Sequence, residues 1–179
     1  MLGIAGSIFL IENLYPFGEF SPFQMLVPTT ITLANSLLTL MGYQTELSGQ
    51  TYKTPVLKVR SERGEASFGI AWPCSGIDSL IIYSSVTILL LENDDSSLKH
   101  KVVYFLAGAM VTYFINVLRI VKIFTIAIEF GVTSLEVQRF HDYYGPLYSI
   151  AWIIMYQLII VGSRSLWRKF SLRRIAKDL

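Results

Sequence analysis

Cysteine is almost missing from this chain of 179 residues: Cys74 stands alone. One thiol excludes an internal disulfide framework and any cysteine-rich metal site. Histidine is nearly as scarce, with only His100 and His141, so a zinc site is hard to assemble. Glu46, Glu62 and Glu65 lack calcium-loop spacing, and neither a metal nor another cofactor is expected. Charge is short as well, at 16% of residues against about 25% in soluble domains. A net charge of +2 gives no basis for nucleic-acid binding. Internal repeats and low-complexity stretches are lacking. What is there is apolar: 53% of residues are hydrophobic and the mean hydropathy is +0.50. These figures exclude a disordered chain and point to an integral membrane protein.

The apolar residues come in runs, and a bilayer span needs about 20 of them. Residues 1–14 read as a partial or tilted span interrupted by Glu12, with neither the basic start nor the cleavage site of a signal peptide. Residues 22–42 follow, with Pro28 expected to kink them and Thr29, Thr30, Thr32, Asn35 and Ser36 expected to face protein rather than lipid. Residues 75–91, 102–128 and 146–163 complete the set. The expected fold is all-α: a single integral membrane domain over residues 1–179 with about five transmembrane helices, the first partial.

Residues 43–73 differ. They carry Lys53, Lys58, Arg60 and Arg63 among three glutamates. TPVLKV is β-prone, SERGE reads as a turn, and Phe68, Ile70 and Trp72 alternate with small residues at strand spacing. This segment is expected to be a small extracellular β-hairpin that ends at Pro73. Residues 92–101 and 129–145 read as polar loops. The tail, 164–179, holds six of the chain's fifteen lysines and arginines, so the positive-inside rule places it in the cytoplasm. Counting spans backwards puts 129–145 and 43–73 outside and 92–101 inside.

Three chemically capable residues then end on the outer side. Cys74 enters its span there, and His141 lies on the outer loop. At about 1.5 Å per residue, Arg119 lies roughly 25 Å above Val102 in a hydrocarbon core about 30 Å thick. His100 falls on the opposite side.

Cys74 sits in WPCSGID. Ser75 followed by Asp78 matches the capping-box spacing, which makes Ser75 the expected N-cap and sets Cys74 just ahead of a helix N-terminus. The positive end of a helix dipole favours a thiolate there, and Gly76 leaves room for another backbone. The plain alternative is a small buried hydrophobe. Arg119 lies inside a span, which by default marks a functional site. Asn116 shares its helix face, and Asp78 is a candidate ion partner. The plain alternative is snorkelling to the headgroups, which suits Lys122. His141 neighbours Asp142, and a lone loop histidine is ordinarily just solvated. Together the residues offer a mechanism. His141 takes the thiol proton or pairs with the thiolate, Cys74 attacks a peptide carbonyl to give a thioester, and Arg119 stabilises the oxyanion, with backbone N–H groups near Ser75 and Gly76 as helpers.

At PCSGIDS (73–79), NVLR (116–119) and the histidine of FHDYYG (140–145) the chain resembles the exosortase/archaeosortase family of membrane transpeptidases. The resemblance implies Cys74, Arg119 and His141 as catalytic residues, and the residues around them, Ser75, Gly76, Asp78, Asn116 and Asp142, are the expected substrate-contacting or supporting set. It implies a membrane-anchored protein substrate ending in a short motif, a transmembrane helix and a basic cluster. It further implies cleavage near that motif and transfer of the new carboxyl end to an acceptor such as a lipid. The site-outside, tail-inside layout is similar to that of archaeal-type relatives. The chain departs from the pattern in size, because many relatives have more spans before the cysteine. Two rival readings stand beside this one. A non-catalytic membrane subunit or small transporter would use Arg119 to bind an anion or a partner helix. A thioester-forming membrane acyltransferase would share Cys74 and His141.

Overall fold

A computed structural model describes Leu14 and residues 21–51, 54–92 and 96–175. Apart from Leu14, the expected partial span at residues 1–14 lies outside the described residues. Helix α1 (Ser21–Gln24) is followed by α2 (Val27–Leu40). Pro28 does not kink a longer span. It falls in the first turn of α2, where its missing N–H would have had no partner in any case. Val27, Ile31, Ala34 and Leu38 are buried, and their spacing makes one apolar stripe along α2. Of the polar residues expected to face protein, only Thr30 is buried. Thr29, Thr32 and Ser36 are exposed. Thr32 and Ser36 donate back to the carbonyls of Pro28 and Thr32 instead, which satisfies a hydroxyl without a neighbouring helix.

The segment expected to be a hairpin is a three-stranded antiparallel meander of β1 (Gln44–Thr51), β2 (Thr54–Ser61) and β3 (Gly64–Gly69). The unforeseen strand, QTELSGQT, is polar and largely exposed. Its pairing with β2 holds it in the sheet, not an apolar pattern of its own. In β2, Leu57 and Val59 point inward and are fully buried, the period-2 alternation of a sheet with one covered face. Arg60 donates to Glu65 across the β2–β3 turn at 3.1 Å. That bond, reinforced by Lys58, holds the exposed Glu65 carboxyl below the usual carboxylate range.

A 3-10 turn (Trp72–Ser75) leads into α3 (Ile77–Glu92). Helix α4 (Leu98–Phe130) begins inside the stretch expected to be a polar loop and runs for 33 residues. The second expected loop is also largely helical. Ser134 caps α5 (Leu135–Arg139) by accepting from the Val137 N–H, a π-helical turn (Phe140–Tyr144) follows, and α6 (Gly145–Ile175) continues from it.

Among the described residues, two helical stretches are long and apolar enough to cross a membrane, Leu98–Phe130 and Leu135–Ser163. With 14 and 16 residues, α2 and α3 reach only about 21 and 24 Å, short of a hydrocarbon core about 30 Å thick. Against the expected five or so transmembrane helices, the first partial, the described residues show a mostly helical chain with two helices of spanning length and a small sheet. One core joins the α2 stripe, Leu57, Val59 and Ala66 of the sheet, Trp72, and the α4 face from Val117 to Ile128. A second gathers Tyr83, Leu91, Ile153, Tyr156 and Ile160. Gly64 sits on α4: a Cβ there would lie 2.9 Å from the Ile128 carbonyl oxygen.

Candidate active site

The 3-10 turn that carries Cys74 is anchored by Trp72, which is buried and packs on Phe23 with ring centroids 5.0 Å apart. Ser75 is buried too, but not as an N-cap. Its hydroxyl donates to the Trp72 carbonyl at 2.6 Å, so the turn closes on itself and the expected capping box does not form. The chain escapes the turn through Gly76 at φ +91°, a left-handed conformation that costs a residue with a Cβ about 1–2 kcal/mol. A Cβ at Gly76 would also lie 2.8–2.9 Å from the Asn116 side chain. What comes close to this glycine is the Asn116 side chain of α4, where the approach of another backbone was expected.

Helix α4 meets the turn with polar side chains. Asn116, almost fully buried, donates from Nδ2 to the Cys74 carbonyl oxygen at 2.9 Å. Three residues on, Arg119 donates from Nη2 to the carbonyl oxygen of His141 at 2.8 Å. Its Nε is buried without a hydrogen-bond partner and packs against Gly145, where a Cβ would collide with it. Arg119 lies within electrostatic range of Cys74, Asp78 and Asp142.

His141 and Asp142 are joined through Nδ1 and Oδ1 at 2.8 Å. A carboxylate only accepts, so Nδ1 carries the hydrogen, and Nε2 is the ring nitrogen left to exchange a proton. The Cys74 thiol also lies within interaction range of the imidazole. Cys74, His141 and Asp142 line one cavity of about 260 Å³, walled by Phe68, Ile70, Ile120 and Phe124. A thiol and an imidazole thus share a small apolar recess, and the Arg119 guanidinium reaches its edge through the His141 carbonyl. Such a set can generate a nucleophile and stabilise negative charge beside it.

The fold therefore brings Cys74, Arg119, His141, Gly76, Asp78, Asn116 and Asp142 into one neighbourhood, while the Ser75 hydroxyl turns back into its own turn. His100 lies at the other end of α4 and pairs with Ser97 at 2.7 Å. Sequence reasoning missed Thr30, Tyr113 and Gly145. Tyr113 had a readable signal, since it stands three residues before Asn116. Gly145 offered no such spacing signal.

A family model described as transmembrane exosortase matches residues 6–158. The match takes in every residue of this cavity. No curated protein and no solved structure matches the chain.

Proposed function

The chain belongs to the transmembrane exosortase family, and from that premise we propose that it is a membrane-embedded cysteine transpeptidase with Cys74 as nucleophile. The observation that carries the reading is that Cys74 and His141 line one cavity while Arg119, bonded to the His141 carbonyl, lies beside it. His141 Nε2 takes the thiol proton, and Sγ attacks the scissile carbonyl carbon. Arg119 supplies positive charge for the oxyanion that develops. When the tetrahedral intermediate collapses, the C–N bond breaks and the leaving amine takes the proton from His141. The new carboxyl end stays on Cys74 as a thioester. An acceptor nucleophile then gives its proton to His141, attacks the thioester and releases the thiol.

The substrate in this reading is a membrane-anchored surface protein whose C-terminal sorting signal has a short motif, a transmembrane helix and a basic cluster. The acceptor is a nucleophile at the membrane surface, with a lipid as the leading class. The reaction takes place at the extracellular face, with 164–179 in the cytoplasm and the 43–73 sheet outside, in the archaeal-type layout. The basic character of the tail supports this orientation.

The test is Cys74→Ala in cells that express a tagged substrate with such a signal. Processing should stop and full-length substrate should accumulate. Normal processing would remove Cys74 as nucleophile. Mass spectrometry of the adduct trapped on Cys74 should find a peptide, and a fatty acyl chain there would assign the chain to acyl transfer instead.

A further inference from the structure

Tyr113, Asn116 and Arg119 are spaced three apart on α4. Each step of three residues rotates the side chain back by about 60°, so the three fan across the helix surface and reach different elements. Arg119 reaches the His141 carbonyl and Asn116 the Cys74 carbonyl. Tyr113 reaches Thr30 on α2, hydroxyl to hydroxyl at 2.8 Å.

Thr30 is fully buried. Its Oγ1 lies 2.9 Å from the Leu26 carbonyl oxygen and 3.3 Å from that of Ser75. Both carbonyls only accept, so the single Thr30 proton is shared between them. Tyr113 must then be the donor in the hydroxyl pair. The chain of donation runs from Tyr113 to Thr30 to the carbonyl of Ser75, next to the Cys74 carbonyl that Asn116 holds. Two successive carbonyls at the nucleophile are thus gripped from two helices, α2 and α4.

We infer that Thr30 and Tyr113 are positioning residues for Cys74, which act with Asn116 to fix the backbone on which the thiol is mounted and so hold Sγ towards His141. The inference rests on the reading of Cys74 as nucleophile and extends it to residues that touch no reacting atom. A misplacement of about 1 Å at a reacting group can cost on the order of 100-fold in rate, so a grip on the carrier backbone has a functional consequence.

The experiment uses the full chain in detergent and follows alkylation of its one cysteine by iodoacetamide at neutral pH. Thr30→Val keeps the shape and removes the hydroxyl, and Tyr113→Phe removes the donor behind it. Each should slow labelling by about tenfold. The double variant should be no slower than either single one, because both break the same arm. Thr30→Ser should restore labelling to within about twofold of wild type. Thr87→Val provides the control, since it removes a buried hydroxyl bonded to Gln157 in another part of the fold, and it should leave labelling unchanged. If Thr30→Val fails to accumulate, Tyr113→Phe and Thr30→Ser carry the test. Wild-type labelling in Thr30→Val and Tyr113→Phe, alongside an inactive Cys74→Ala, would overturn the positioning inference alone. Processing that survives Cys74→Ala would overturn the functional reading, whatever the labelling rates.

Discussion

Arg119 Nη2 and the His141 carbonyl oxygen lie 2.8 Å apart, and the bond between them ties α4 to the π-helical turn of residues 140–144. A π-turn is a rare, widened piece of helix that recurs at functional sites. Here the arginine fixes its distance from the helix that also holds the Cys74 backbone. Arg119 is consequently a brace as well as a charge, and its two roles have separate signatures.

Arg119→Lys keeps the charge but replaces a planar fork with a point charge on a flexible stem. If the brace matters, Arg119→Lys should be nearly as impaired as Arg119→Ala, with substrate processing down by about 100-fold in each. Turnover of a tagged substrate, normalised to folded enzyme, measures this. A lysine variant close to wild type would show that charge alone suffices.

Asp142 should matter less. The side chains of His141 and Asp142 are 47% and 75% exposed, and pairs so open to water contribute about 0–1 kcal/mol. Asp142→Ala should therefore slow processing by no more than about fivefold. Salt should weaken the wild type towards the variant by screening the same pair. A loss of 100-fold would mean that Asp142 has a further role in the reaction.

The uneven legibility of the site in the sequence has physical causes. Cys74, Arg119 and His141 were readable because each residue type is costly or rare in its setting. Asn116 was readable through its helical spacing from Arg119. The grip of Thr30 on Ser75 was not, because a buried threonine and the exposed Thr29, Thr32 and Ser36 look alike until the neighbouring helix is known. Ser75 misled for a related reason. The spacing to Asp78 fits a cap, but the hydroxyl found a carbonyl three residues back within its own turn. Strand β1 was missed because its polar edge sequence owes its shape to β2.

Gly145→Ala tests the packing behind the arginine. The added Cβ would run into Arg119 Nε and lie 3.0 Å from the Phe140 carbonyl oxygen. Arg119 must then leave the His141 carbonyl. Processing should fall to the level of Arg119→Ala, and the double variant should be no worse than either single one. Additive losses would place the effect of Gly145 elsewhere.

Gly108→Ala addresses stability away from the reaction. Tyr83 donates to the Phe105 carbonyl at 2.8 Å and Tyr156 to the Tyr104 carbonyl at 2.6 Å, so α3 and α6 both fasten to one stretch of α4. A Cβ at Gly108 would collide with the Tyr83 hydroxyl and the Tyr156 ring. Helix propensity favours alanine by about 1 kcal/mol, while overpacking a fitted core costs about 1–3 kcal/mol. Because the obstructing atoms belong to rings held by their own hydrogen bonds, the second effect should win. The melting temperature in detergent should drop, while iodoacetamide labelling of Cys74 well below that temperature stays at the wild-type rate. An unchanged melting temperature would mean that the three helices do not meet at Gly108 as closely as described.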